Sequence, residues 1–145
     1  MTKVIPFKAA HVDCMDIREY ENNTVAKWPN FQQALTEWEN KNIAGTILAD
    51  GRVIAVFGFI EMWPGVCEVF VLPSKYLHQY SIGFAKCIKR ALNSGIFETY
   101  HRIQIQAMDD DLHNRWLKFL GFELEGVFKK YDAQGNDYKM WARVK

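Results

Sequence analysis

Residues 69–92 read VFVLPSKYLHQYSIGFAKCIKRAL. The apolar run Val69–Leu72 closed by Pro73 has the composition of a strand, and the polar loop behind it leads into an amphipathic segment. From Ser81 onward, Phe84, Ile88, Ala91 and Leu92 recur at helical spacing while Lys86, Lys89 and Arg90 take the other face. Asn93-Ser94-Gly95 ends the pattern, so the spacing predicts a helix over 81–92. Gly83 falls in its first turn, where glycine costs about 1 kcal/mol relative to alanine. A glycine is kept at such a place when a ligand or a neighbouring element must approach the backbone closely.

Working upstream, VCEVFVLP (66–73) follows a Pro64-Gly65 turn, and before that VIAVFGFIEMW (53–63) follows IAGTILA (43–49) across Asp50-Gly51. Asp-Gly suits the positive φ angles of a two-residue hairpin turn, so three strands in antiparallel succession are expected here. KVIPF (3–7) reads as a first strand, and HVDCMDIREYEN (11–22) and VAKWPNFQQALTEWENK (25–41) read as helices, with Pro29 near the start of the second. Downstream, HRIQIQAM (101–108) alternates as a strand. DDDLHNRWLKFL (109–120) reads as a helix with Leu112, Trp116, Phe119 and Leu120 on one side and Gly121 as its stop. FELEGVFKKY and YKMWARV, joined around Gly135-Asn136, read as a last hairpin. Hairpins together with a strand-helix-strand crossover imply a mixed sheet and an α+β fold.

The 145 residues suffice for one domain, 1–145, with a core that needs neither disulfide nor metal. At 49% hydrophobic and 24% charged residues the chain is of the soluble globular class, and a formal charge of +1 offers no basic stripe, so no nucleic-acid partner is expected. Cys14, Cys67 and Cys87 are far apart and unpaired in pattern, which argues against a disulfide framework or a zinc site. With no signal-peptide pattern at the start and no apolar run of membrane-spanning length, a cytoplasmic location and no membrane partner are expected.

The element order, the VFVLP strand before a glycine-bearing helix, and the stretch LKFLGFE (117–123) resemble the GNAT superfamily of acyl-CoA-dependent N-acyltransferases along nearly the whole chain. Gly83 and Ala85 match the last two positions of that family's (Q/R)xxGx(G/A) signature. The resemblance implies a central mixed, mostly antiparallel sheet flanked by about four helices. It further implies acetyl-CoA as co-substrate and an amine acceptor, either a small molecule or a protein. Backbone amides at the positive end of a helix attract anions. By resemblance, those of Ser81, Ile82, Gly83, Phe84 and Ala85 would hold the pyrophosphate of coenzyme A. Main-chain groups of Val71 and Leu72 would pair with the pantetheine arm, and Tyr80 and Asp110 would lie against the cofactor. The chain departs from the family pattern at several positions. Tyr80 stands at the Arg or Gln position, the stretch from Val71 to Tyr80 is longer than usual, Asp110 replaces a frequent Asn, and Leu117 replaces a frequent Tyr general acid. These departures are most similar to small GNAT-like proteins encoded by bacteriophages, some of them virion components, and some of which keep the fold without the reaction. A virion association is the corresponding alternative to a cytoplasmic place.

Amine acetylation requires a base, direct or through water, to take the ammonium proton. Glu68, in the otherwise apolar CEVFV, and Glu61, near the end of the preceding strand, are the candidates. Each can equally be a charge on the solvent side of a half-exposed strand. His113 is a candidate proton shuttle or an ordinary helix histidine, and Cys67 and Cys87 read as small core residues. Trp28, Trp38 and Tyr131 are plausible rim residues of an acceptor cleft. The DDD run reads as an acidic helix start, with no metal expected. The edge of the last hairpin leaves a homodimer open.

Overall fold

Asp50 and Gly51 both take positive φ, 50° and 75°, the backbone of a two-residue hairpin turn, and join β2 (Ala44–Ala49) to β3 (Arg52–Trp63). Ala49 pairs with Arg52 directly across that turn. Gly65, with φ of 87° behind Pro64, turns β3 into β4 (Val66–Pro73). The computed structural model describes residues 2–17 and 29–145; Trp28 and the rest of 18–28 lie outside the described residues. β1 is Thr2–Pro6, α1 Ala10–Asp13, α2 Phe31–Lys41, α3 Ser81–Leu92, β5 Arg102–Met108, α4 Asp111–Phe119, β6 Glu123–Phe128 and β7 Tyr138–Val144. Single 3-10 turns occupy Leu77–Tyr80 and Gly95–Phe97.

The hydrogen-bonded strand order is β1-β2-β3-β4-β5-β7-β6. β4 and β5 run parallel, and β1-β2, β2-β3, β5-β7 and β6-β7 run antiparallel. The result is the α+β architecture with a mixed, mostly antiparallel sheet that the sequence implies.

The chain divides into two compact units, the first made of Met1–Phe59 and Val71–Cys87, the second of Ile60–Phe70 and Ile88–Lys145. In the first, Leu35, Ile47, Ile54 and Val56 are fully enclosed, and Trp38 lies near Phe7 and edge-on to Phe31. The first helix is shorter than periodicity suggests. α1 ends at Asp13, and the chain then extends so that Ile17 bridges Ser74 and Lys75 N–H donates to the Asp16 carbonyl at 2.7 Å. Backbone pairing with the end of β4 overrides the local apolar spacing. α2 begins only at Phe31, because Asn30 takes a left-handed φ of 61° directly after Pro29.

In the second unit Ile103, Ile105 and Ala107 of β5 are buried, alternating with half-buried Gln104 and Gln106. α4 closes in a Schellman motif: Gly121 N–H donates to the Lys118 carbonyl and Phe122 N–H to that of Leu117, with Gly121 at φ 86°. The motif folds Phe122 and Leu117 inward, at 4% and 3% exposure. Phe119, expected on the apolar face, is instead exposed and lies under the Lys89 ammonium, 4.4 Å from the ring centre.

Candidate functional site

The parallel ladder between β4 and β5 covers only Val66 with Arg102, Cys67 with Ile103 and Glu68 with Gln104. β4 runs on to Pro73 beyond the last pair, and on its other edge Ser74 N–H still donates to the Ile54 carbonyl at 2.8 Å. Val71 and Leu72 follow on β4, within the first unit. Here Val71 is half-buried and Leu72 is buried.

The long loop after β4 is organised by its own side chains. Ser74 Oγ accepts from Tyr76 N–H at 3.2 Å, and Tyr80 OH donates to Asp50 Oδ2 at 2.7 Å, tying the loop to the β2-β3 turn. That hydrogen bond raises the Tyr80 pKa. The 3-10 turn Leu77–Tyr80 runs straight into Ser81, whose φ and ψ of −58° and −37° are already helical. Along α3, Ile82 is exposed, Phe84 and Ala85 are buried, and Gly83 lies against Thr2 of β1 with no room for a Cβ.

Glu68 is half-buried, and its Oε1 accepts from Gln104 Nε2 at 2.8 Å and Gln106 Nε2 at 3.2 Å. Arg102 extends the row, donating to Gln104 Oε1 at 2.9 Å and in bidentate fashion to Glu125, at 2.6 and 3.1 Å. Glu125 falls at a register shift in β6 between Leu124 and Gly126. Among the described residues Glu68 Oε2 has no hydrogen-bond partner, so the carboxylate is fixed through one oxygen and open at the other. Gln104 and Gln106 were not singled out from the sequence. The alternation RIQIQAM carries the only signal for them, two amides on one face of a strand.

Glu61 is exposed, and its Oε1 accepts from Tyr100 OH at 3.1 Å. Burial first, then this hydrogen bond, push the Tyr100 phenol up to about 12. Burial, with Glu61 nearby, pushes the Cys67 thiol up to about 11, so Cys67 stays a thiol in the core at neutral pH.

Asp110 caps α4. It accepts from His113 N–H at 2.8 Å and lies 2.7 Å from His113 Nδ1. The imidazole is further set edge-on to Trp116, 5.8 Å between ring centres. Trp38 is a core residue, whereas Tyr131 is exposed and lies against Phe128 and Tyr138. Among the described residues no group of three His, Cys, Asp or Glu side chains could hold a metal ion, and no helix is long and apolar enough to cross a membrane.

No family model matches the sequence, and no curated protein does. Solved structures do match, and they define the class of fold. An N-acetyltransferase from Staphylococcus aureus Mu50 superposes with a TM-score of 0.75 over 99% of this chain and 98% of its own, at 11% identity. A GNAT-family acetyltransferase from Bacillus anthracis gives 0.71 over 99% and 94%, at 13% identity. The microcin C7 self-immunity acetyltransferase MccE, solved with acetyl-CoA and AMP, gives 0.63 over 79% and 68%, at 18% identity. The chain has the GNAT acetyltransferase fold.

Proposed function

We infer that this protein is an acyl-CoA-dependent N-acyltransferase that moves an acetyl group from acetyl-CoA to an amine. The observation that carries the reading is the Glu68 carboxylate, held on one oxygen by Gln104 and Gln106 within the second unit of a fold shared with acetyltransferases, one of them solved with acetyl-CoA. By the resemblance, main-chain groups of Val71 and Leu72 on β4 pair with the pantetheine arm. Acetyl-CoA supplies the acetyl group as a thioester. The start of α3, Ser81 to Ala85, follows on the same chain segment and offers N-terminal amides to its diphosphate.

Glu68 serves as the base. Gln104 and Gln106 hold Oε1, and Oε2 is left to take the proton of the attacking ammonium, directly or through one water. Glu61, whose Oε1 is occupied by Tyr100, is the second candidate. Leu117 is buried and gives no proton, so protonation of the leaving thiolate falls to water. The acceptor is an amine-bearing small molecule or protein.

A second reading is favoured by specific contacts: Leu117 is a core residue, Asp110 is engaged as a helix cap, and Tyr80 is tied to Asp50. In it the chain is a GNAT-fold structural or interaction module without catalysis, of the kind found among bacteriophage-encoded relatives of the fold, in a virion or against a host protein. Thermal melts with acetyl-CoA, coenzyme A and ADP separate the two, because a ligand of the native state raises stability as RT ln(1 + [L]/Kd). A shift with both coenzyme A forms, followed by thiol release with an amine, supports the transferase. No shift at millimolar ligand puts the module reading first.

A further inference from the structure

Arg102 Nε donates to Gln104 Oε1 at 2.9 Å, and Gln104 Nε2 donates in turn to Glu68 Oε1 at 2.8 Å. All three residues belong to the second unit. Gln104 stands two residues beyond Arg102 on β5, on the same face, and opposite Glu68 in the parallel ladder to β4. The chemistry at the two ends of the Gln104 amide allows one orientation only. A guanidinium donates and never accepts, and a carboxylate accepts and does not donate. Turned over, the amide would set its oxygen against the Glu68 carboxylate and its NH2 against the Arg102 N–H, two repulsive contacts in place of two hydrogen bonds. Gln104 is therefore bound to offer its NH2 to Glu68.

Arg102 is itself anchored. Its Nη1 and Nη2 donate to Glu125 at 3.1 and 2.6 Å, which leaves Nε for Gln104. The hydrogen bond from Arg102 holds the Glu125 carboxyl below the usual carboxylate range, so the pair is charged at neutral pH. Gln106 supplies a comparison within the same site. Its Nε2 reaches the same Glu68 oxygen at 3.2 Å, and among the described residues its amide has no second partner. The shorter contact to Glu68 thus comes from the amide that is fixed at both ends. Cation, amide dipole and carboxylate also follow one another in the order in which each polarises the next. We propose that Arg102 is a positioning residue for Glu68: acting through the Gln104 amide, it holds the carboxylate by Oε1 and so leaves Oε2 as the oxygen for the attacking ammonium. The inference rests on the reading of Glu68 as the base.

Side-chain amide NMR and steady-state kinetics on the full chain test it. In the 15N-labelled natural protein the Gln104 side-chain amide, assigned by through-bond correlation, should be as rigid as the backbone around it, and Arg102→Met should lower its 1H–15N NOE. Thiol release from acetyl-CoA with n-butylamine as the amine gives the rates. Arg102→Met should lower kcat by about three- to tenfold, the rate equivalent of one hydrogen bond, with KM for acetyl-CoA little changed. Adding Arg102→Met to Gln104→Met should cost nothing further, because Arg102 acts only through that amide. A mobile Gln104 amide in the natural protein, an amide unmoved by Arg102→Met, or losses that add in the double variant would overturn the proposal. Full turnover in Arg102→Met beside a slow Glu68→Gln would overturn it too, while leaving Glu68 as the base. Glu68→Gln at the natural rate would instead remove the base reading, and this role with it. The rigidity of the amide is read on the unmodified protein, so that result does not depend on any variant folding.

Discussion

Gly83 on α3 faces Thr2 on β1 so closely that a Cβ added to Gly83 would stand 2.6 Å from Thr2 Cγ2 and 2.7 Å from Thr2 Oγ1. The glycine that costs a helix about 1 kcal/mol in its first turn is thus fixed by packing within the first unit. Gly83→Ala gains that propensity but must displace a β-branched side chain, an overpacking cost of about 1 to 3 kcal/mol. Net destabilisation is expected. Thr2→Ala removes both close atoms, so the double variant should recover most of the loss. A double-mutant cycle by urea denaturation checks it, and additive effects would show that Thr2 does not constrain Gly83.

Glu68→Gln keeps an oxygen to accept from Gln104 and Gln106 but removes the proposed proton acceptor. Turnover should fall by at least about tenfold while the melting temperature and the acetyl-CoA Kd stay nearly unchanged. Steady-state kinetics beside a binding titration separate these quantities. Turnover at the wild-type level would remove Glu68 from the mechanism and turn attention to Glu61.

Local turn and helix chemistry made much of this fold legible. Asp50-Gly51, Gly121 and the span 81–92 all lie where short-range rules place them, because hairpin turns and helix ends are decided within a few residues. The sequence also pointed to Gly83 as a site of close approach, but the partner is Thr2, eighty-one positions away, and no local pattern connects them. The same holds for Glu68. Its strand was plain, whereas the amides that hold it come from β5, and Gln104 and Gln106 look in sequence like the wet side of an ordinary strand. At Asp13 a contact distant in sequence, with Ser74 and Lys75, stopped a helix that the apolar spacing would have continued.

Tyr100 gives the protein an alkaline limit. Its phenol is held at about 12 in the folded state against an ordinary value near 10. As pH rises through about 10 the unfolded chain releases this proton first, so stability is complete below that point and is lost between about 10 and 12. Urea midpoints from neutral pH to about 11 should fall for the natural chain, and Tyr100→Phe should flatten that slope at the cost of about 0.5 to 1.5 kcal/mol for the bond to Glu61. A slope that persists in the variant would assign it to other groups.

Leu117→Tyr tests whether the tyrosine frequent at this position in the family the chain resembles can act as a general acid here. The side chain at this position is 3% exposed and belongs to the Schellman closure with Phe122, so a phenol there meets core. A loss of about 1 to 3 kcal/mol in stability and no gain in turnover are expected. A faster enzyme of unchanged stability would show that position 117 opens onto the reacting groups.

Asp110 has two possible tasks that one pair of variants distinguishes. As the cap of α4 it is replaced almost without loss by Asn but not by Ala, where about 1 kcal/mol should go, and thermal melts report this directly. As a neighbour of the cofactor, its carboxylate repels phosphate, and the amide of Asp110→Asn does not. The expected outcome is a near-native melt for Asp110→Asn together with severalfold tighter acetyl-CoA binding that fades as salt is raised, since screening weakens the repulsion being removed. An acetyl-CoA Kd identical in both proteins at low salt would leave Asp110 as a cap for α4 and an anchor for His113, with no part in holding the cofactor.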